Sequence, residues 1–204
     1  GEVWVCSGQS NMQFALRQAI NGEQEVAEAN YPNIRLFTVE RTVAEQPQSG
    51  CKGSWTLCSP ETVPGFSAVG YFFGRELHKK LGVPIGLVHT SWGGTPAEAW
   101  TRRGVLKAEA DFSPILKRYD DAIAKYPQAK QEHERKLEEW KQAVEKAKTE
   151  GKRAPGRPGE PLGPEHPHSP SGLYNAMIAP LIPYGIQGAI WYQGESNAGR
   201  AYQY

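Results

Sequence analysis

The chain has 204 residues, 39% hydrophobic, 22% charged and 10% aromatic. That excludes two large domains and a wholly disordered chain, and leaves enough apolar side chain for one packed core. Lys plus Arg number 23 against 22 Asp plus Glu, a formal net charge of +1, so no global field draws nucleic acid or an anionic membrane to it. No apolar run reaches the roughly 18–20 residues that span a bilayer. The start, GEVWVCSGQS, lacks Met and enters a strand pattern at once, from which we expect an upstream segment, a signal peptide among the candidates.

In chain order, the first apolar run is Val3-Trp4-Val5-Cys6 and the second is Ile34 to Val39. Val69 to His78 then reads as an amphipathic helix, stopped by Gly82 and Pro84. Strands follow at Ile85 to His89 and, much later, at Gly188 to Tyr192. Continuous apolar runs alternating with helical stretches indicate βαβ units and a parallel sheet covered on both faces. Thr95-Pro96-Ala97-Glu98 has the pattern of a capping box opening a helix.

Residues 106–150 break this rhythm. Phe112, Ile115, Leu116, Tyr119, Ile123 and Tyr126 share a helical stripe, Pro127 interrupts it, and Leu137, Trp140, Val144 and Ala147 resume it on a very polar helix. The expectation is a helical hairpin with a solvated face. Pro155, Pro158, Pro161, Pro164, Pro167 and Pro170 then recur at every third position, the period of polyproline II, and predict a semi-rigid spacer over 151–170. The division expected is therefore an α/β domain of residues 1–105 and 171–204, carrying an inserted hairpin at 106–150 and the spacer.

Cys6, Cys51 and Cys58 include no CxxC pair and no histidine at finger spacing, so no metal framework is expected. Cys51 and Cys58 flank a short loop, which leaves both a disulfide and two free thiols open.

Three of the four strands run into small and polar residues: Ser7-Gly8-Gln9-Ser10-Asn11, Thr90-Ser91-Trp92-Gly93-Gly94-Thr95 and Gln193-Gly194-Glu195-Ser196-Asn197. In an open parallel sheet the carboxyl ends of the strands form the ligand crevice, so these clusters mark one site. A serine in a tight strand-to-helix turn projects its hydroxyl into such a crevice and lends its N–H to an oxyanion. The competing reading of Ser10 or Asn11 is a plain helix cap. Gly93 and Gly94 let backbone amides approach a ligand oxygen. Gln193 and Asn197 each offer a side-chain amide. Glu195, a carboxylate, suits hydrogen bonds to nearby loop groups better than a place beside an oxyanion.

Taken in order, Gly8-Gln9-Ser10-Asn11-Met12, Trp92-Gly93-Gly94-Thr95-Pro96 and Trp191-Tyr192-Gln193-Gly194-Glu195-Ser196-Asn197 resemble the successive blocks of the sialate O-acetylesterase family, a carbohydrate acetylesterase branch of the SGNH hydrolases. Leu173 to Leu181 resembles the segment before the third block. The resemblance implies a three-layer α/β/α sandwich on a parallel, flavodoxin-like sheet. It implies a nucleophile at Ser10 and an oxyanion hole from the Ser10 N–H, Gly94 and Gln193, with Gly94 favoured over Gly93 and Gln193 over Asn197. Gln9, Asn11, Gly93, Glu195 and Asn197 are then expected around an acetylated carbohydrate, with no cofactor and no metal. The family resemblance also implies export, to the medium or the periplasm, and neighbouring domains of the same protein upstream and downstream.

That family takes its base from an Asp-x-x-His motif after the third block, and none follows Asn197 before Tyr204. The expectation is a domain incomplete at its C-terminus. Among His78, His89, His133, His166 and His168, His89 is the internal substitute nearest the crevice. The competing classes are a carbohydrate-binding relic without the base and a helical interaction module centred on residues 106–150.

Overall fold

The computed structural model describes residues 1–203. Five strands, β1 Glu2–Gly8, β2 Tyr31–Thr38, β3 Trp55–Cys58, β4 Ile85–Ser91 and β5 Gly188–Tyr192, form one sheet in the order β3-β2-β4-β1-β5. The four strands expected from the apolar runs pair in parallel. β3 was not expected: it lies antiparallel on β2 and makes the sheet mixed rather than all-parallel.

Alternation along the strands sorts the core into two layers. Cys6, Ile34, Leu36, Ile85 and Leu87 face α3 (Ala68–Leu81), beside the buried Tyr71. Val5, Val39 and Val88 face the other way, against Ala99, Trp100, Leu173, Ala176 and Met177. Every residue of β4 is buried, as a strand covered on both faces must be. α3 begins where Ser67 accepts from the Gly70 N–H at 3.0 Å and ends at Gly82, whose φ of +68° is the left-handed stop. A Cβ at Gly74 would lie 2.6 Å from Leu87, so this glycine sets how closely α3 seats on β4.

Cys58 belongs to the first layer and Cys51 packs against the second, on the opposite face of the sheet. All three cysteines are free. Burial pushes Cys6 up to about 12 and Cys58 to about 11, so both behave as inert apolar groups.

The hairpin expected over 106–150 is not formed. A short α4 (Arg103–Ala108) is followed by α5 (Ser113–Thr149), a single helix of 37 residues with Pro127 inside it. Proline there removes one backbone donor, yet nearly the whole helix stands in solvent, where water replaces the lost bond. Paired charges such as Glu132 with Arg135 and Lys136 line it. The proline-rich stretch runs back along this helix: the Trp140 indole donates to the Pro155 carbonyl at 2.9 Å, and Gly163 packs on the Tyr126 ring. Lengths agree, since eight extended residues span about 25 Å and fourteen helical ones about 21 Å. The spacer is thus a brace on α5.

Candidate active site

The turn after β1 is held from both sides. The Gly8 carbonyl accepts from the Trp92 N–H at 3.1 Å, and the Gln9 N–H donates to the Tyr192 carbonyl at 2.9 Å. Gly8 has φ +136°, and a Cβ there would lie 2.0 Å from the Tyr192 carbonyl oxygen, so only glycine fits. α1 (Ser10–Gln13) is a single turn pinned by the buried Met12. Its cap position is Gln9, which makes no side-chain cap, so Ser10 and Asn11 are not capping residues. Ser10 is exposed at the helix start, and its hydroxyl makes no hydrogen bond among the described residues.

Gln9, by contrast, is buried and fully engaged. Its Nε2 donates to Glu195, and its Oε1 accepts from the Ser196 hydroxyl at 2.6 Å. Asn11 Nδ2 donates to the other oxygen of Glu195. Hydrogen bonds to its own backbone amide, then to Gln9 and Asn11, hold the Glu195 carboxyl below the usual range, ionised at neutral pH. Glu195 therefore braces the Ser10 turn.

In the second cluster the two glycines differ. Gly93 lies against Ser10, and its N–H is spent on Gln13 Oε1 at 2.6 Å. Gly94, at φ +77°, faces open space, and its N–H has no partner among the described residues. The capping box does not form. Thr95 Oγ1 instead donates to the Trp92 carbonyl at 2.6 Å and accepts from the Trp100 indole at 2.8 Å, and Ala97–Trp100 is one 3-10 turn.

In the third cluster Gln193 Nε2 donates to the Thr95 carbonyl at 2.7 Å, so Gln193 joins the second and third loops. Asn197 is buried, accepting from the Ala97 N–H at 2.8 Å and donating to Glu98 at 2.9 Å, and so ties the second and third loops together. Glu98, also buried, completes the network with an ion pair to Arg200 at 2.9 Å.

His89 does not reach this crevice with a usable nitrogen. Nε2 lies 2.5 Å from Ser91 Oγ, the ring packs edge-on to Phe66, and burial, aided by the Arg41 charge, lowers it to about 4. Three groups that sequence reasoning missed border the site. The His168 ring, whose titration burial lowers and the neighbouring Gly94 backbone raises, stacks edge-on with His166, while Arg41 Nε donates to the Ser91 carbonyl at 3.1 Å. Glu98 was read only as half of a capping box. Nothing local in the sequence marks these three; they meet the site through the fold.

A serine, a glycine amide and a side-chain amide converging at strand ends form a constellation for acyl transfer. The sequence model of the family described as "Carbohydrate esterase, sialic acid-specific acetylesterase" matches residues 1–152. The chain belongs to this family. The matched span of this carbohydrate esterase family includes α4 and α5 as well as the first two loops. The sialate O-acetylesterase of Rattus norvegicus is 37% identical and covers 97% of this chain, and that of Homo sapiens is 32% identical with the same coverage. This chain spans 35% and 31% of those proteins, about a third of their length. The crystal structure of a carbohydrate acetylesterase from Xanthomonas citri superposes with a TM-score of 0.65 at 33% identity, over 97% of this chain and 33% of that one. No described helix is long and apolar enough to cross a membrane.

Proposed function

We propose that this chain carries the nucleophile and oxyanion hole of a serine esterase that removes O-acetyl groups from carbohydrates. Ser10 Oγ attacks the acetyl carbonyl, the sugar hydroxyl leaves, and water releases acetate from the acetyl-enzyme. The Ser10 and Gly94 N–H groups receive the oxyanion, with Gln193 as the third donor. Glu195 and Asn197, which the sequence placed around the substrate, act here as braces, and Gln9, Asn11 and Gly93 shape the turn.

The observation that carries this reading is the exposed Ser10 hydroxyl beside a glycine loop in which Gly93 is spent and Gly94 presents its amide. A serine hydroxyl also needs a base. No described histidine bonds to Ser10, and we assign the base to an Asp-x-x-His motif that the family resemblance places further along the polypeptide. Export to the medium or periplasm, neighbouring domains of the same protein, and treatment of residues 106–170 as an inserted arm belong to the same proposal.

The test is hydrolysis of p-nitrophenyl acetate by the full-length protein and by Ser10→Ala. We expect a loss of kcat/KM of about 10³-fold or more. Equal rates would remove Ser10 as nucleophile.

A further inference from the structure

We propose that Thr95 is a positioning residue for the oxyanion hole, setting the Gly94 amide through its hydroxyl and the Gln193 amide through its carbonyl. This rests on the esterase reading above and names a residue that acts through the donors rather than on the substrate.

Thr95 is fully buried where the second and third loops meet. Its Oγ1 donates to the Trp92 carbonyl at 2.6 Å and accepts from the Trp100 indole at 2.8 Å. An indole N–H can only donate, so it occupies an acceptor site on the hydroxyl and directs the Thr95 proton toward Trp92. The turn over 92–95 is therefore closed in one sense only. Inside it lie Gly93, whose N–H is held by Gln13, and Gly94 at φ +77°. Trp92 is itself fixed on the carbonyl of Gly8, two residues before Ser10. The hydroxyl thus ties the residue after Gly94 back to a fixed point, and the Gly94 N–H takes its direction from that closure.

The carbonyl of the same residue accepts from Gln193 Nε2 at 2.7 Å. A primary amide carries two hydrogens in one plane, so anchoring one fixes the direction of the other. One buried residue therefore sets the second and third donors relative to each other. Donors stabilise a developing oxyanion best when they need no rearrangement, and a misplacement near 1 Å is costly. Packing does not confine Gly94 from its own side, because a Cβ there would meet nothing within 4 Å. The hydrogen bonds of Thr95 do so instead. A threonine that only filled space would be served equally by valine, which has the same shape, so the hydroxyl separates the two roles.

The experiment measures kcat and KM on p-nitrophenyl acetate, inhibition by phenylboronic acid, and melting temperature. Full-length wild type, Thr95→Val, Thr95→Ser, Trp100→Phe and Ser10→Ala are compared. A boronic acid adds to a serine hydroxyl as a tetrahedral anion, so its affinity reads the oxyanion hole. We expect Thr95→Val to lower kcat about thirtyfold or more with KM within about twofold, and to weaken phenylboronic acid by a similar factor. Thr95→Ser keeps the hydroxyl and recovers most of both losses. Trp100→Phe keeps a ring and removes the indole donor, and lowers kcat about threefold or more. Where Thr95→Val does not fold, wild-type kcat and boronic acid affinity in Trp100→Phe overturn the inference. A folded Thr95→Val with wild-type kcat, a loss confined to KM, a kcat loss without a matching loss of boronic acid affinity, or a Thr95→Ser as impaired as the valine variant overturns it as well. In each case an inactive Ser10→Ala leaves the esterase reading standing. Equal turnover by wild type and Ser10→Ala removes both.

Discussion

Glu195 holds Gln9, the residue immediately before Ser10, across 186 positions of sequence, and its second oxygen holds Asn11, the residue immediately after. One carboxylate thus fixes both neighbours of the candidate nucleophile. In Glu195→Gln one of the two bonds becomes a donor facing a donor, and in Glu195→Ala both are lost. We expect kcat on an aryl acetate to fall about tenfold and about a hundredfold respectively, an acyl-transfer geometry being sensitive to shifts near 1 Å. Because the folded carboxyl is held below its unfolded value, the stabilisation it brings is complete above the ordinary carboxylate range and is lost as pH falls through the folded value. Melting curves of wild type and Glu195→Gln should converge only below about pH 4. A gap that persisted there would show that the clamp does not depend on charge.

His89 supplies a second pH dependence. Burial keeps it neutral in the fold down to about 4, whereas the unfolded chain takes up its proton near 6.5. A lowered folded value means that stability is intact above pH 6.5 and drains away between 6.5 and 4. The linkage amounts to about 3 kcal/mol over that interval. Denaturant titrations at several pH values should show this loss, and His89→Gln should flatten it.

Gly8→Ala tests the junction beneath the site. Its Cβ has no place beside the Tyr192 carbonyl, so β5 must move off β1 or the turn must distort. We expect a loss of stability of about 3 kcal/mol or more together with loss of esterase activity, read by thermal unfolding and aryl acetate hydrolysis. Wild-type melting would mean that the two strands separate without cost.

On the arm, Trp140→Ala removes the indole that donates to Pro155. Trypsin should then cut faster at Lys152 and Arg153, with kcat on an aryl acetate within about twofold of wild type. An unchanged digestion pattern would show that the proline run holds to α5 without this contact.

β4 was legible because burial on both faces writes a continuous run into sequence, β2 and β5 were legible from their apolar runs although both are largely half-buried or exposed, and α3 was legible from its stripe and its Gly82 stop. β3 was not, because Trp55, Thr56 and Leu57 are exposed at a sheet edge and carry no pattern that burial would impose. Pro127 misled because its usual effect is learned from packed helices, and α5 is mostly solvated. Within the site, Ser10, Gly93 and Gly94 could be found from their setting after strands. The choice of Gly94 over Gly93 came from the family resemblance alone, since its physical cause, Gln13 reaching across to take the Gly93 N–H, is a tertiary contact. The positions of Arg41, Glu98 and His168 are products of tertiary contact alone.

β5 is the last strand in the chain, yet its partner is β1, the first. Pairing them closes a loop of roughly 180 residues, an entropic cost met only after the intervening sheet exists. During synthesis β1, β2 and β4 can assemble long before residue 188 leaves the ribosome, while the Ser10 turn still lacks Tyr192, Glu195 and Ser196. The geometry of the candidate nucleophile, Ser10, is therefore acquired late, and translation stalled before β5 would yield a stacked sheet without the completed Ser10 turn.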